Sequence, residues 1–445
     1  MMCARKGFQG GLVTLVVAML STGCGTSEST TTDPVTPPLD AGSVDDANTD
    51  EPDIEPVDTG PPKGPGPSNF ACPSGTTLRT QGASTVTKWC ELPNGLRHGL
   101  YRRWNSNGFL IQETHYSNGS RHGLEKRFFW IGGLQQVCNY VNNQRDGVCT
   151  WYYQNGAKQR ETVYLHGLRD GADLRWYLDG TKQSERHYKN NVPVGTWTNW
   201  YSDGAKQSET VYENGKQTGV AKGWYPDGTK QWERPYVDGK PHGTWMFWYP
   251  DGQVQGEDPW VNGKRDGMRI FYYADGVKQF EEPWVNGQRH GTAKRYYPSG
   301  KLQREETYVQ GVRTGPWVTY YESGNKQSEY SYVQNKISGK WLQWYADGTK
   351  SHERNYSSGA LNGPWLEWHP NGKDKIVGNY NSNKRHGDWK EWSATGQQTV
   401  AGQYMFGKRD GTWTRWHANG QKLNIGTYAN DWLNGPFQAW YDTGQ

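Results

Sequence analysis

The side chains able to do chemistry are few in kind and regular in place. Arginine recurs at Arg97, Arg121, Arg145, Arg169, Arg265, Arg289, Arg313, Arg385 and Arg409, each two residues before a glycine. A row of forked guanidiniums suits phosphate or carboxylate groups. It equally suits turn solvation and pairing with nearby acids such as Asp146, Asp170, Asp266 and Asp410. Histidine follows the arginine position at His98, His122, His242, His290 and His386. Successive copies are too far apart to share an ion, and none brings a second ligand at metal spacing, so no metal site is expected. Tryptophan forms a third set: Trp197, Trp245, Trp317, Trp341, Trp365, Trp389 and Trp413. Exposed, these indoles are platforms for sugar rings, lipid headgroups or a protein; packed, they fill the space between neighbours. No nucleophile–base set, phosphate loop or acid pair stands on a segment of its own. Catalysis needs one constellation in one supporting shell, so neither an enzyme nor a cofactor is expected.

The frame that places these residues is a strict period. From Gly99 to Gly435 a glycine falls at every 24th residue, fifteen times, with a second glycine nine residues after each. With the first glycine as position zero, position five is aromatic in every copy and position seventeen is Tyr or Trp, from Tyr116 to Tyr428. Position eight is mostly Asp or Asn, and Gly, Asn or Asp stands four residues before each zero position. These are turn residues that tolerate positive φ. The runs between them, such as Thr196–Tyr201 and Ala205–Tyr212, have strand length and composition. The reading is an all-β array of about fifteen units in one antiparallel meander, a single twisted or rolled sheet. Aliphatic residues are scarce and mean hydropathy is −0.99, so aromatic ladders must provide the burial. Tight turns would set each position-zero glycine opposite the position-seventeen aromatic of the preceding unit, where the ring covers the bare glycine. Strand alternation puts the position-two tryptophans on the face opposite position five.

The pattern G-x-R-H/D-G-x-W-x-x-W-Y-x-D-G-x-K-Q-x-E, clear at 263–278, 287–301 and 407–422, resembles the MORN repeat in its bacterial variant form. The resemblance covers nearly everything after residue 95. It implies a β-hairpin array that binds protein or, in some members, phospholipid, and that is often labelled an antitoxin; it supplies no catalytic residues. Stretches such as Trp151–Lys158 also resemble choline- and glucan-binding cell-wall repeats, which run at about 20 residues. The 24-residue period and the Arg-His-Gly or Arg-Asp-Gly element favour MORN.

Ahead of the array, residues 1–23 read as a signal peptide, with Arg5 and Lys6 before the short apolar run Leu12–Leu20. Cys24 after Gly23 looks like a lipidation site, although Ser21 stands where Leu is usual. Gly25 in place of Asp favours an outer-membrane lipoprotein in the cell envelope. Residues 24–68 read as a disordered acidic linker, with ten Asp and Glu against Lys63. A cap over 69–94 precedes the array at 95–445. From residue 69 onward, 46 Lys and Arg face 35 Asp and Glu, so the array attracts anionic or acidic surfaces. An exported chain is not expected to meet nucleic acid. The function expected is a non-enzymatic envelope scaffold for a protein or envelope surface. The alternatives are a carbohydrate- or anionic-lipid-binding module and an antitoxin or immunity-type protein.

Four cysteines remain for disulfides in an exported chain. Cys138 at position fifteen and Cys149 at position two of the next unit should face each other across adjacent strands and bridge. Cys72 and Cys90 should close the cap.

Overall fold

The structure, a computed structural model, describes residues 70–445; the signal, Cys24 and the linker lie outside the described residues. These residues form one antiparallel sheet of 36 strand segments and no helix. Taking a short piece with the strand it precedes, each interior strand pairs with the one before it and the one after it in sequence. Five segments are two-residue pieces cut off by a bulge from the strand that follows: Lys240–Pro241, Lys264–Arg265, Gln288–Arg289, Lys336–Ile337 and Lys384–Arg385. The all-β hairpin array read from the period is what the chain builds. The cap contributes a short hairpin, Thr77–Gln81 with Thr87–Glu91.

Both turns of the unit follow from its residues. At one end sits a two-residue turn such as Asn214-Gly215, with φ of 48° and 81°, the geometry that suits the right-handed twist of a hairpin. Where Asn or Asp replaces the second glycine, its side-chain oxygen does additional work. Asn143, Asn191, Asn335, Asn383 and Asp431 each accept the backbone N–H of the residue 22 positions earlier, at 2.8–2.9 Å. At the other end, the position-eight Asp accepts the N–H of position ten, as Asp203 does from Ala205 at 2.9 Å. Gly204 then takes φ 88° and donates to Tyr201.

The two-residue turn is followed by a bulge that the sequence does not announce. Val141 pairs with Gln144 and Tyr140 with Arg145, but the next pair is Cys138 with Cys149. Asp146, Gly147 and Val148 thus face Asn139 alone, and Gly147 adopts φ 86°. This corrects the expected register. Gly147 lies opposite Tyr164, the position-seventeen aromatic of its own unit, not that of the preceding one. The ring does not cover the glycine either, since a Cβ on Gly147 would meet nothing within 4 Å. Position zero is glycine for its backbone conformation.

Both expected disulfides are present. Cys138 and Cys149 are directly paired, fully buried, with Cα atoms 4.2 Å apart. Cys72 and Cys90 are 5.5 Å apart at Cα.

Candidate interaction surfaces

One face of the sheet carries positions two, fifteen and seventeen, and here the two recurrent sets meet. All nine arginines stack on the position-seventeen ring of their own unit. The tightest are Arg169 over Tyr188 at 3.8 Å, Arg409 over Tyr428 at 4.1 Å and Arg121 over Tyr140 at 4.2 Å. Arg97, Arg145, Arg265, Arg289, Arg313 and Arg385 follow the same rule at 5.2–5.6 Å. Four also pair with acids: Arg121 with Glu125, Arg265 with Asp258, Arg289 with Glu282 and Arg409 with Asp431. The guanidiniums are therefore part of the packing of this face, stacked on rings, with all but Arg97 and Arg313 partly buried. Around Arg145, burial opposes the charge, while the Tyr140 and Tyr164 hydroxyls offset it and push its pKa upward.

The tryptophans at position two slot between the position-seventeen rings of successive units. Trp197 lies 5.2 Å from Tyr188 and 4.5 Å from Tyr212, and its indole N–H donates to the His187 carbonyl. Trp245 lies between Tyr236 and Trp260, and Trp317 between Tyr308 and Tyr332. Trp341 meets Tyr330 and Tyr356, Trp365 meets Tyr380, and Trp389 sits between Tyr380 and Tyr404. Trp413 closes on Tyr404. Trp389 is 1% exposed. The structure thus brings the arginine and tryptophan sets together in one stack between units.

The residue before position zero explains why Asp and His alternate there. Asp146, Asp170 and Asp266 accept the backbone N–H of His166, Asn190 and Asn286 at 3.0–3.2 Å. His98, His242, His290 and His386 accept the equivalent N–H through Nδ1 at 3.3–3.4 Å. The position needs an acceptor for the turn amide, and either side chain supplies one. Among the described residues no group of three His, Cys, Asp or Glu could hold a metal.

Sequence reasoning missed what the position-six tyrosine does. Its hydroxyl donates to the carbonyl of position five in the next unit, 23 residues on, at 2.7–2.9 Å, from Tyr153 to Trp176 through Tyr345 to Trp368. His369 and His417 make the same link by donating from Nε2. The signal was available: a polar-tipped ring follows the position-five aromatic in most copies. On the opposite face, the lysine at position eleven stacks on the position-five ring of the next unit and pairs with the glutamate three residues later, as Lys182 does with Trp200 and Glu185. Burial opposes ionisation of Glu281, but hydrogen bonds from Lys278 and Tyr296 outweigh it and lower its pKa. Burial and the Glu281 hydrogen bond push Tyr296 up to about 12.

Groups left outside this packing line the edge of two-residue turns. Val237, Val261, Val285, Val309 and Val333, all at position eighteen in five successive units, are 45–58% exposed. Across the turn they pair with Lys240, Lys264, Gln288, Val312 and Lys336.

Five stretches match the family described as MORN repeat variant: residues 145–166, 241–262, 289–310, 313–334 and 409–430. Each runs from two residues before position zero, arginine in four of the five and Pro241 in the other, to position nineteen, a span that includes both ring positions. No curated protein matches the sequence. Among solved structures, those titled "Crystal Structure of TcdB2-TccC3-TEV" and "Crystal Structure of TcdB2-TccC3" share 11% and 10% identity over 78% and 77% of this chain, each with a TM-score of 0.11. The chain spans about a quarter of each, 24% and 25%.

Proposed function

From a chain that is a MORN-repeat protein, we propose a non-enzymatic scaffold that binds a protein partner along its turn edge. The observation that carries this is the valine row. Five valines at the same position in five successive units stand about half exposed, while the rings and charges of the packed face engage one another. Apolar side chains in a row at roughly 10 Å intervals, two strand spacings apart, suit an extended surface with matching apolar groups. Lysines flank the row at Lys240, Lys264 and Lys336 and favour an acidic partner. The expected site is the cell envelope, with a lipid on Cys24 as anchor.

The test compares capture from envelope extracts by the protein and by a variant with Val237, Val261, Val285 and Val309 changed to Ser. A partner held by the first and lost from the second supports the reading; identical capture counts against it. The lysine flank gives a second reading, attachment to anionic lipid. Sedimentation with anionic vesicles at low and high salt separates the two, because lipid attachment through lysine is lost at high salt. Fatty-acid labelling that disappears in Cys24→Ala would support the anchor, and an unlabelled parent protein would remove it.

A further inference from the structure

Position twelve takes no part in any of the packing above. It is glutamine in nine successive units: Gln135, Gln159, Gln183, Gln207, Gln231, Gln255, Gln279, Gln303 and Gln327. In each unit it is the residue that the strand register passes over. Trp151 pairs with Arg160 and Tyr152 with Lys158, so Gln159 is left out; Gln135 and Gln183 are left out in the same way. A bulge redirects the side chain it carries. Among the described residues, none of the nine amides has a hydrogen-bond partner. The neighbours at positions eleven and fourteen are engaged in ring and ion-pair contacts, as in Lys158 with Trp176 and Glu161. Packing therefore accounts for the lysine and the glutamate and not for the glutamine.

The row passes through a formed recess. A cavity of about 490 Å³ is lined by Phe129, Gln135, Gln136, Trp151 and Gln159 among others. A second, of about 280 Å³, shares Trp151, Tyr153 and Gln159 and extends to Arg175 and Gln183. Trp151 packs on the buried cluster formed by Cys138, Cys149 and Tyr140, and the guanidiniums of Arg160 and Arg145 lie over its ring at 5.1 and 5.7 Å, which together fix it. The Arg175 Nε–H is buried and makes no hydrogen bond, standing 3.9 Å from the Asp173 carboxylate, a donor that gains from a ligand oxygen brought within hydrogen-bond distance.

We propose that the glutamine row is a tract for an extended β-1,4-linked glycan, with the Trp151 recess as its best-formed sugar site. The Trp151 indole and Tyr153, which both line the recess, offer apolar surface to the C–H groups of a pyranose. Each glutamine amide offers donors and an acceptor, which match the hydroxyls at a sugar's edge. Successive glutamines recur at about 10 Å, two strand spacings, and an extended β-1,4-linked chain presents the same edge every second sugar at about that distance. The tract lies at the opposite hairpin end from the valine row and is independent of it.

The test is titration of the purified protein, by tryptophan fluorescence and calorimetry, with β-1,4-linked hexa-N-acetylglucosamine and with α-1,4-linked maltohexaose, whose chain coils. The first should bind saturably, and tighter than its dimer by about tenfold or more. The variant Gln135→Ala, Gln159→Ala, Gln183→Ala should lose about tenfold in affinity with its thermal midpoint unchanged, since those amides support nothing in the fold. Trp151→Ala should lose at least as much. No saturable binding, equal binding of maltohexaose, or unchanged affinity in the glutamine variant would overturn the proposal.

Discussion

The units around Cys138 and those around Trp389 share one backbone and fill it with opposite chemistry. Near the cap, positions fifteen and two hold Thr114 and Glu125, Cys138 and Cys149, then Thr162 and Asp173. Asp173 is 1% exposed and is held by Arg160 through two hydrogen bonds of 3.0 and 2.7 Å. From Trp317 to Trp413, position two is tryptophan in five successive units. For the last two the facing residue shrinks to make room: a Cβ on Gly378 would collide with the Trp389 ring, and one on Gly402 with Trp413. The 24-residue frame fixes turns, bulges and inter-unit hydrogen bonds. It leaves the interior between units open to covalent, ionic or aromatic solutions, provided the two facing volumes are complementary.

The comparison can be broken at either end. Trp389→Ala removes a fully buried indole and should cost about 3–5 kcal/mol, read as early urea unfolding of the neighbouring units by hydrogen exchange. Arg160→Met leaves Asp173 buried without its main partner, and a loss on the order of 3 kcal/mol is expected near the disulfide. A loss under about 1 kcal/mol would show that Asp173 takes up a proton or another partner instead. Reducing Cys138–Cys149 should cost roughly 2–3 kcal/mol for so short a loop. Its effect should be confined to the N-terminal units, because units in such an array contact only their neighbours. Exchange that rises equally at Trp413 would break that picture.

Acid sharpens it. Around Glu113, burial favours the neutral form, but the Arg102 and Lys126 contacts outweigh it and its folded pKa lies below the ordinary 4.5. Its contribution is therefore complete above 4.5 and is lost as pH falls through the folded value. Exchange at pH 3 against pH 6 should rise in the hairpin Leu110–Ser117 and Ser120–Phe128 more than in the Trp389–Trp413 stack, which is held by rings. Tyr225→Phe, which removes one link to the Trp248 carbonyl, is the smallest change, at about 1 kcal/mol.

Much of this architecture was legible because a repeat states its rules many times. The turn glycines, the all-β array and the Cys138–Cys149 bridge followed from period and spacing, and the Cys72–Cys90 bridge, off the repeat pattern, from an even number of cysteines in a chain read as exported. The register around position zero did not. A single unbroken register that pairs Cys138 with Cys149 would also place Tyr140 opposite Gly147; the two-residue turn instead pairs Tyr140 with Arg145, and the surplus residues between them take up the difference. That bulge also carries each arginine over its own unit's ring and each Asp or His under a turn amide, so those roles were hidden with it. The tryptophans could be set on one face by alternation, but whether that face was packed depended on ring contacts between units. Position twelve was passed over because its side chain does nothing for the fold.

The tyrosine links of 23 residues also bear on how the chain would carry a load. Each unit holds about 80 Å of fully extended chain yet is fastened only to the units beside it. Pulled from its ends, such a sheet would lengthen unit by unit, with a rise and drop in force at each release. The Cys138–Cys149 bridge, eleven residues apart in sequence, would hold one such loop shut, so the same chain would stretch measurably further once reduced.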